Sequence, residues 1–66
     1  MNVTLNNTEQ SILRLKAEGA TTKEITEALK ISRQNYFDSL GGLRWKLGAR
    51  STANMMLLAF KGGLLQ

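Results

Sequence analysis

The side chains best suited to chemistry in this chain of 66 residues lie between residues 32 and 46, and the chemistry they suit is binding. The side-chain amides of Gln34 and Asn35 each offer a donor and an acceptor, the pattern needed to bond adenine at two points. Phe37 can pack on a thymine methyl group, and the carboxylate of Asp38 can accept a hydrogen bond from a cytosine amino group. These residue types make contact with nucleic-acid bases chemically possible.

Basic residues are concentrated in the same half of the chain. Residues 1–27 carry three basic and four acidic side chains, whereas residues 28–66 carry six basic side chains and one acidic side chain, Asp38. The overall net charge of +4 therefore lies in the second half. Because neutralised phosphates supply most non-specific affinity for nucleic acids, this distribution indicates a polyanionic partner. A solvated basic surface, which is common in small proteins, would give the same charges.

The chain lacks the residues that most enzymes use. It has no His and no Cys, and its five carboxylates show no pairing typical of acid–base catalysis. We expect a non-enzyme with no catalytic residue, no cofactor, no small-molecule ligand and no metal site, since the usual zinc ligands are absent.

Size and hydrophobicity bound the class of protein. A chain this short buries only about 60% of its surface on folding, so it needs a tight core, an oligomer or both. The absence of a signal peptide and of an apolar run of about 20 residues predicts a cytoplasmic protein with no membrane partner. Met1 directly precedes the first helical pattern, so we expect a stand-alone protein rather than a fragment of a larger regulator.

Capping patterns predict where helices begin. Asn6 precedes Glu9 by three residues, and Thr21 precedes Glu24 in the same way, as in capping boxes. Ser32 and Ser51 are further N-cap candidates, and Gly19, Gly48 and Gly62 follow apolar runs as helix stops do. We therefore predict an all-α fold with a single domain over residues 1–66 and helices near 7–18, 22–29, 33–47 and 52–61.

The second and third helices have the outline of a helix-turn-helix. A short helix is followed by the connection Lys30-Ile31-Ser32 and a longer helix. In that longer helix an apolar stripe predicts the side that faces the core, and it consists of Tyr36, Leu40, Leu43 and Leu47.

Three segments resemble the LuxR-type (GerE-type) helix-turn-helix domain of bacterial transcription regulators. They are LNNTEQSILRLKAEG, TTKEITEALKIS and LRWKLGARS, and the resemblance runs from Leu5 to about Leu65. It implies that the third helix enters the major groove of double-stranded DNA and that the fourth helix pairs two subunits. The DNA contacts that we predict are Thr22, Lys23, Ser32, Arg33, Gln34, Asn35, Phe37, Asp38, Gly41, Arg44 and Lys46.

The chain departs from the family pattern on the third helix. Phe37 stands where the family often has Lys, Ser39 where it often has His, and Asp38 adds a negative charge. Two functions therefore remain open. We favour a small stand-alone DNA-binding regulator that acts as a dimer. The alternative is a protein-interaction module or anti-activator that does not bind DNA and pairs with another LuxR-type regulator. Phe37, Gly41 and Trp45, one turn apart, would then form its contact surface.

The sequence leaves two structural questions about the third helix open. Gly41-Gly42 either kinks this helix or remains helical, and Trp45 either packs on the core or faces outward.

The fourth helix is apolar on all sides. We expect Ala53, Met56, Leu57 and Phe60 to cover the core. The homodimer interface is then predicted to consist of Thr52, Met55, Leu58, Ala59 and Gly62.

Overall fold

The computed structural model describes residues 4–63, which form four α-helices and, within that range, no strand. The helices are α1 (Asn7–Ala17), α2 (Thr22–Leu29), α3 (Arg33–Leu47) and α4 (Thr52–Lys61). The predicted bounds agree with these, except that α1 ends one residue earlier than expected. The all-α, four-helix prediction is confirmed.

Side-chain caps fix the beginning of each helix. The Asn6 side chain accepts from the backbone amide of Glu9 at 2.8 Å, while the Glu9 carboxylate accepts from the Asn6 amide at 3.0 Å. Thr21 and Glu24 form the second capping box in the same way. The predicted capping boxes are therefore both present. Because each cap involves residues only three positions apart, the local sequence determines where these helices start.

The core lies where all four helices meet. Seven side chains from the helices and the preceding Leu5 form it, and they are Leu5, Ile12, Leu13, Ile25, Tyr36, Leu43, Met55 and Ala59. The predicted core stripe of α3 is confirmed, since Tyr36 and Leu43 are fully buried and Leu40 and Leu47 pack against the cluster. None of the helices within residues 4–63 has the length and apolar composition required to cross a membrane.

The turn between α2 and α3 sets the geometry of the helix-turn-helix. Lys30 ends α2 in the left-handed region, with φ 56° and ψ 45°, and it is the one non-glycine residue with positive φ among residues 4–63. This conformation reverses the chain within three residues. Ile31 then packs against the core, and Ser32 caps α3. The turn thus packs one side of α3 against the core and leaves the opposite side exposed.

Helix α3 continues through Gly41 and Gly42 without interruption, over 15 residues. A Cβ atom built on Gly42 would lie 3.4 Å from Oε2 of Glu9, in van der Waals contact with α1. A Cβ atom on Gly41 would meet nothing within 4 Å among the residues that the structure describes. Position 42 therefore faces α1, whereas position 41 faces open space.

The predicted faces of α4 are wrong for most of their residues. Met55 and Ala59, expected at a dimer interface, are fully buried in the core, and Thr52 and Leu58 are half-buried. Of the residues expected to cover the core, Met56 packs against it as predicted, whereas Ala53 is exposed and Leu57 and Phe60 are 49% and 69% exposed. A helix that is apolar on all sides carries no periodic signal to separate the two faces, so the packing against α1 and α3 decides which one is buried. Of the predicted interface residues, Gly62 alone is exposed.

Candidate nucleic-acid interface

The outward surface of α3 brings most of the predicted contacts together. We call it the α3 outer surface, and its exposed members are Gln34, Asn35, Phe37, Asp38, Gly41, Arg44 and Trp45. Four of them lie opposite the buried stripe of Tyr36 and Leu43, and these are Gln34, Asp38, Gly41 and Trp45. Asn35 lies at one edge of the surface, and Phe37 and Arg44 lie at the other edge. Arg33 is also exposed and begins the helix. The helix therefore presents two amides, two aromatic rings, one carboxylate and two guanidinium groups to the exterior.

Phe37 lies at the edge of this surface, half in contact with the protein. Its ring meets Tyr36 edge to face, with 5.1 Å between ring centroids and an interplanar angle of 76°. The guanidinium carbon of Arg33 lies 5.6 Å from the Phe37 ring centroid, a cation–π distance. The ring remains 48% exposed. These two neighbours orient Phe37, and its free face points away from the protein.

Among residues 4–63, Trp45 is the most exposed of the large apolar side chains, at 84%. The interpretation that it packs on the core is therefore wrong. It sits two residues from both Leu43 and Leu47, and in a helix that spacing points a side chain away from its neighbours' side. The outward orientation leaves a large indole on the same side as Gln34 and Asp38.

Lys46 does not present an unengaged charge to a phosphate. Its Nζ atom donates to Oε1 of Glu9 at 2.7 Å, forming an ion pair between α3 and α1. The Glu9 side chain is 5% exposed and that of Lys46 is 34% exposed. A buried carboxylate without a partner would destabilise the fold, so the ion pair with Glu9 favours this position of the Lys46 side chain. The structure thus gives Lys46 a structural role, and its contact with a phosphate stays a prediction.

The other basic side chains near α3 also have intramolecular partners. Nη2 of Arg44 donates to the backbone carbonyl of Arg50 at 3.0 Å, which ties the end of α3 to the segment before α4. Nζ of Lys16 donates to the hydroxyl of Tyr36 at 3.1 Å. Both bonds are near the surface, so they restrain the side chains without removing their charge.

The beginning of α2 lies at the exterior as well. Lys23 is exposed and Thr22 is half-buried. Nearby, the backbone amide of Thr21 donates to the Glu24 carboxylate, and this bond, with a smaller contribution from the Thr21 side chain, lowers the pKa of Glu24 despite a small opposing effect of burial. The capping carboxylate therefore stays ionised near neutral pH and leaves the Lys23 ammonium as the basic group that this end of α2 presents.

Ser32 is the N-cap of α3. Its hydroxyl oxygen accepts from the backbone amide of Asn35 at 3.0 Å, which satisfies one of the open amides at the start of α3. The hydroxyl hydrogen remains available as a donor. The exposure of the neighbouring Arg33 and Gln34 places the first turn of α3 at the exterior.

Glu9 has a second role that its place in the sequence does not reveal. Its capping-box pattern was visible, but it also forms the ion pair with Lys46, 37 positions away. The packing of α1 on α3 that forms this ion pair also brings Glu9 close to Gly42. No local pattern reveals a pairing over that separation. Within residues 4–63, no cluster of three or more acidic, His or Cys side chains has the arrangement of a metal site.

Comparison with known proteins finds a matching family model and a similar solved structure. Residues 3–59 match the family model GerE, described as bacterial regulatory proteins of the luxR family. A solved structure described as "Structure of Transcription factor, GerE" superposes with a TM-score of 0.88 and 27% sequence identity, over 94% of this chain and 92% of that chain. No curated protein sequence matches the chain significantly.

Proposed function

Since the chain belongs to the luxR family of bacterial regulatory proteins, we propose that it is a small, stand-alone transcription regulator that binds double-stranded DNA through α3. The helix would lie in the major groove, whose width admits an α-helix and whose base edges carry a distinct pattern for each base pair. Acting on DNA, the protein would work at the nucleoid in the bacterial cytoplasm.

One observation carries this proposal: the amide side chains of Gln34 and Asn35 are exposed on the first turns of α3. In helix-turn-helix proteins the N-terminal part of the second helix contacts the base edges. Amide side chains there can bond a base at two points. Lys23 on α2 and Arg33 and Arg44 on α3 are also exposed. They would bind phosphates on either side of the major groove.

The proposal includes a homodimer through α4, with its face corrected. Ala53, Leu57 and Phe60 are exposed at positions that share one side of the helix. A second copy of the chain would cover this apolar side. The dimer would then present two copies of α3 to successive turns of the duplex, which helix-turn-helix dimers contact about 34 Å apart.

The direct test is a fluorescence titration with labelled genomic duplexes at two salt concentrations. Binding should weaken between about 50 and 200 mM salt, with a slope of log K against log salt of about −0.9 for each phosphate contact made. Arg33→Ala should weaken all duplexes similarly, whereas Gln34→Ala should affect some sequences more than others. Lys61→Ala, on α4, is the matched loss of one charge. Failure to bind any duplex at the lower salt would reject the proposal.

A second candidate function draws support from the two exposed aromatic rings of the α3 outer surface. Phe37 is 48% and Trp45 is 84% exposed, and aromatic residues are enriched at the centres of protein interfaces. In this function the protein would pair with another LuxR-type regulator and block it. Stoichiometric recovery of such a regulator in a pull-down, together with DNA binding that Phe37→Lys leaves unchanged, would favour it.

A further inference from the structure

The basic side chains of α3 are already engaged inside the protein. Lys46 bonds Glu9 at 2.7 Å, and Arg44 donates to the carbonyl of Arg50 at 3.0 Å. The guanidinium of Arg33 lies over the ring of Phe37. Guanine is read in the major groove chiefly by Arg or Lys, which bond its O6 and N7 acceptors together. The ion pair with Glu9 engages the Lys46 ammonium, and the contacts of Arg33 and Arg44 restrain these guanidinium groups although other donors on them stay open.

The remaining groups of the α3 outer surface are of other types. Gln34 and Asp38 are exposed at its centre and Phe37 is exposed at its edge, with Arg33 and Arg44 at its flank. An amide bonds the N6 and N7 atoms of adenine, and an apolar ring packs on the methyl group of thymine. A carboxylate accepts from the amino group of adenine or cytosine, but it is repelled by guanine, which offers acceptors alone in the major groove.

We propose that the α3 outer surface selects A·T base pairs, with Gln34 bonding an adenine and Phe37 packing on a thymine methyl group. This inference rests on the proposed DNA-binding function and specifies its target. The carboxylate of Asp38 disfavours guanine on the strand that it faces and can accept from an adenine or a cytosine amino group there. Arg33 holds the Phe37 ring in place and can still meet a phosphate at the edge of the groove.

Gly41 supports this placement of Phe37. It lies four residues further along α3, about 6 Å along the helix axis, and apart from the backbone of its own helix no atom of residues 4–63 lies within 4 Å of where its Cβ would be. The gap lets the wall of the groove approach the helix backbone beside the Phe37 ring. A side chain at position 41 would hold the helix away from the base edges that Gln34 and Phe37 are proposed to contact.

The test begins with wild-type protein and a pool of duplexes with random sequence. Bound duplexes should be enriched in adjacent A·T pairs. In an enriched duplex, each thymine is then replaced by uracil, which removes the methyl group and keeps the base pairing. At the position under Phe37, this change should weaken binding about fourfold, the effect expected from losing one buried methyl group. Because the change is in the DNA, it does not depend on any variant folding correctly.

Two variants assign the contacts. Phe37→Ala should bind the thymine and uracil duplexes equally, because no ring is left to sense the methyl group. Gln34→Ala should lose about fivefold to a hundredfold in its preference for adenine at one position. Circular dichroism shows whether each variant keeps its helices, and Lys61→Ala should retain both preferences.

The outcomes separate this inference from the proposed function. Enrichment of G·C pairs, or a uracil effect that is the same for wild-type protein and Phe37→Ala, would overturn the A·T selection while leaving DNA binding intact. If no duplex is bound, both the function and the inference fail. Binding of a LuxR-type regulator in place of any duplex would likewise overturn both.

Discussion

The carboxylate of Glu9 in α1 and the ammonium group of Lys46 in α3 lie 2.7 Å apart and join two helices whose paired residues are 37 positions apart. The same carboxylate accepts from the backbone amide of Asn6, so it caps α1 and ties it to α3 at once. Gly42 lies beside this contact, with its ideal Cβ position 3.4 Å from Oε2 of Glu9. The pair therefore positions α3, the helix proposed to bind DNA.

Removing the amine of this pair should destabilise the protein. Lys46→Ala leaves the buried Glu9 carboxylate with the capping bond alone, and an unpaired buried charge of this kind should cost about 1–3 kcal/mol in the free energy of unfolding. Urea denaturation measures this loss. Lys23→Ala, which removes an exposed charge on α2, should change stability by less than about 0.5 kcal/mol. Equal stability of Lys46→Ala and wild type would contradict the structural role of the pair.

The two adjacent glycines of α3 should respond differently to alanine. Gly41→Ala adds a methyl group into open space within a helix and should raise the free energy of unfolding by about 0.5–1 kcal/mol. Gly42→Ala places its Cβ 3.4 Å from Oε2 of Glu9 and should give a smaller gain or a loss. Thermal and urea unfolding compare the two variants directly. A larger gain at position 42 would show that α1 and α3 are less closely packed than described.

Two substitutions in α4 should separate dimerisation from folding. Leu57→Glu, on its exposed side, should abolish the dimer while leaving helix content unchanged, because an ionised side chain opposes burial at an interface. Met55→Ala, in the core, should cost about 2–5 kcal/mol of stability. Sedimentation at several concentrations and urea unfolding provide the two measurements. If Leu57→Glu sediments as wild type does, the second copy does not bind at this side of α4.

The turn before α3 should be improved by glycine. Lys30 holds a left-handed conformation, which costs a non-glycine residue about 1–2 kcal/mol, whereas glycine adopts it freely at a smaller entropic cost. Lys30→Gly should therefore raise stability by about 0.5–1 kcal/mol in thermal unfolding. Lys30→Ala keeps the Cβ atom and should not, which makes it the matched control. A gain in both variants would point to the lysine side chain rather than the backbone.

The sequence by itself determined the helices and their order. Capping boxes and helix stops act within a few residues, so the starts of α1 and α2 follow from pairs such as Asn6 with Glu9 and Thr21 with Glu24. The buried stripe of α3 likewise follows from a helical period around Tyr36. The types of residue on its opposite side, which suggest nucleic-acid contacts, were equally visible.

Tertiary structure alone decided which face of α4 is buried and what the basic residues of α3 do. Met55 and Leu57 have similar hydrophobicity, so neither side of α4 is marked in the sequence, and the packing of α4 on the other helices chooses between them. Lys46 has the residue type of a phosphate contact, but the fold brings a buried carboxylate to it from 37 residues away. Burial makes the pairing necessary, because a charge removed from water must find its partner inside the protein.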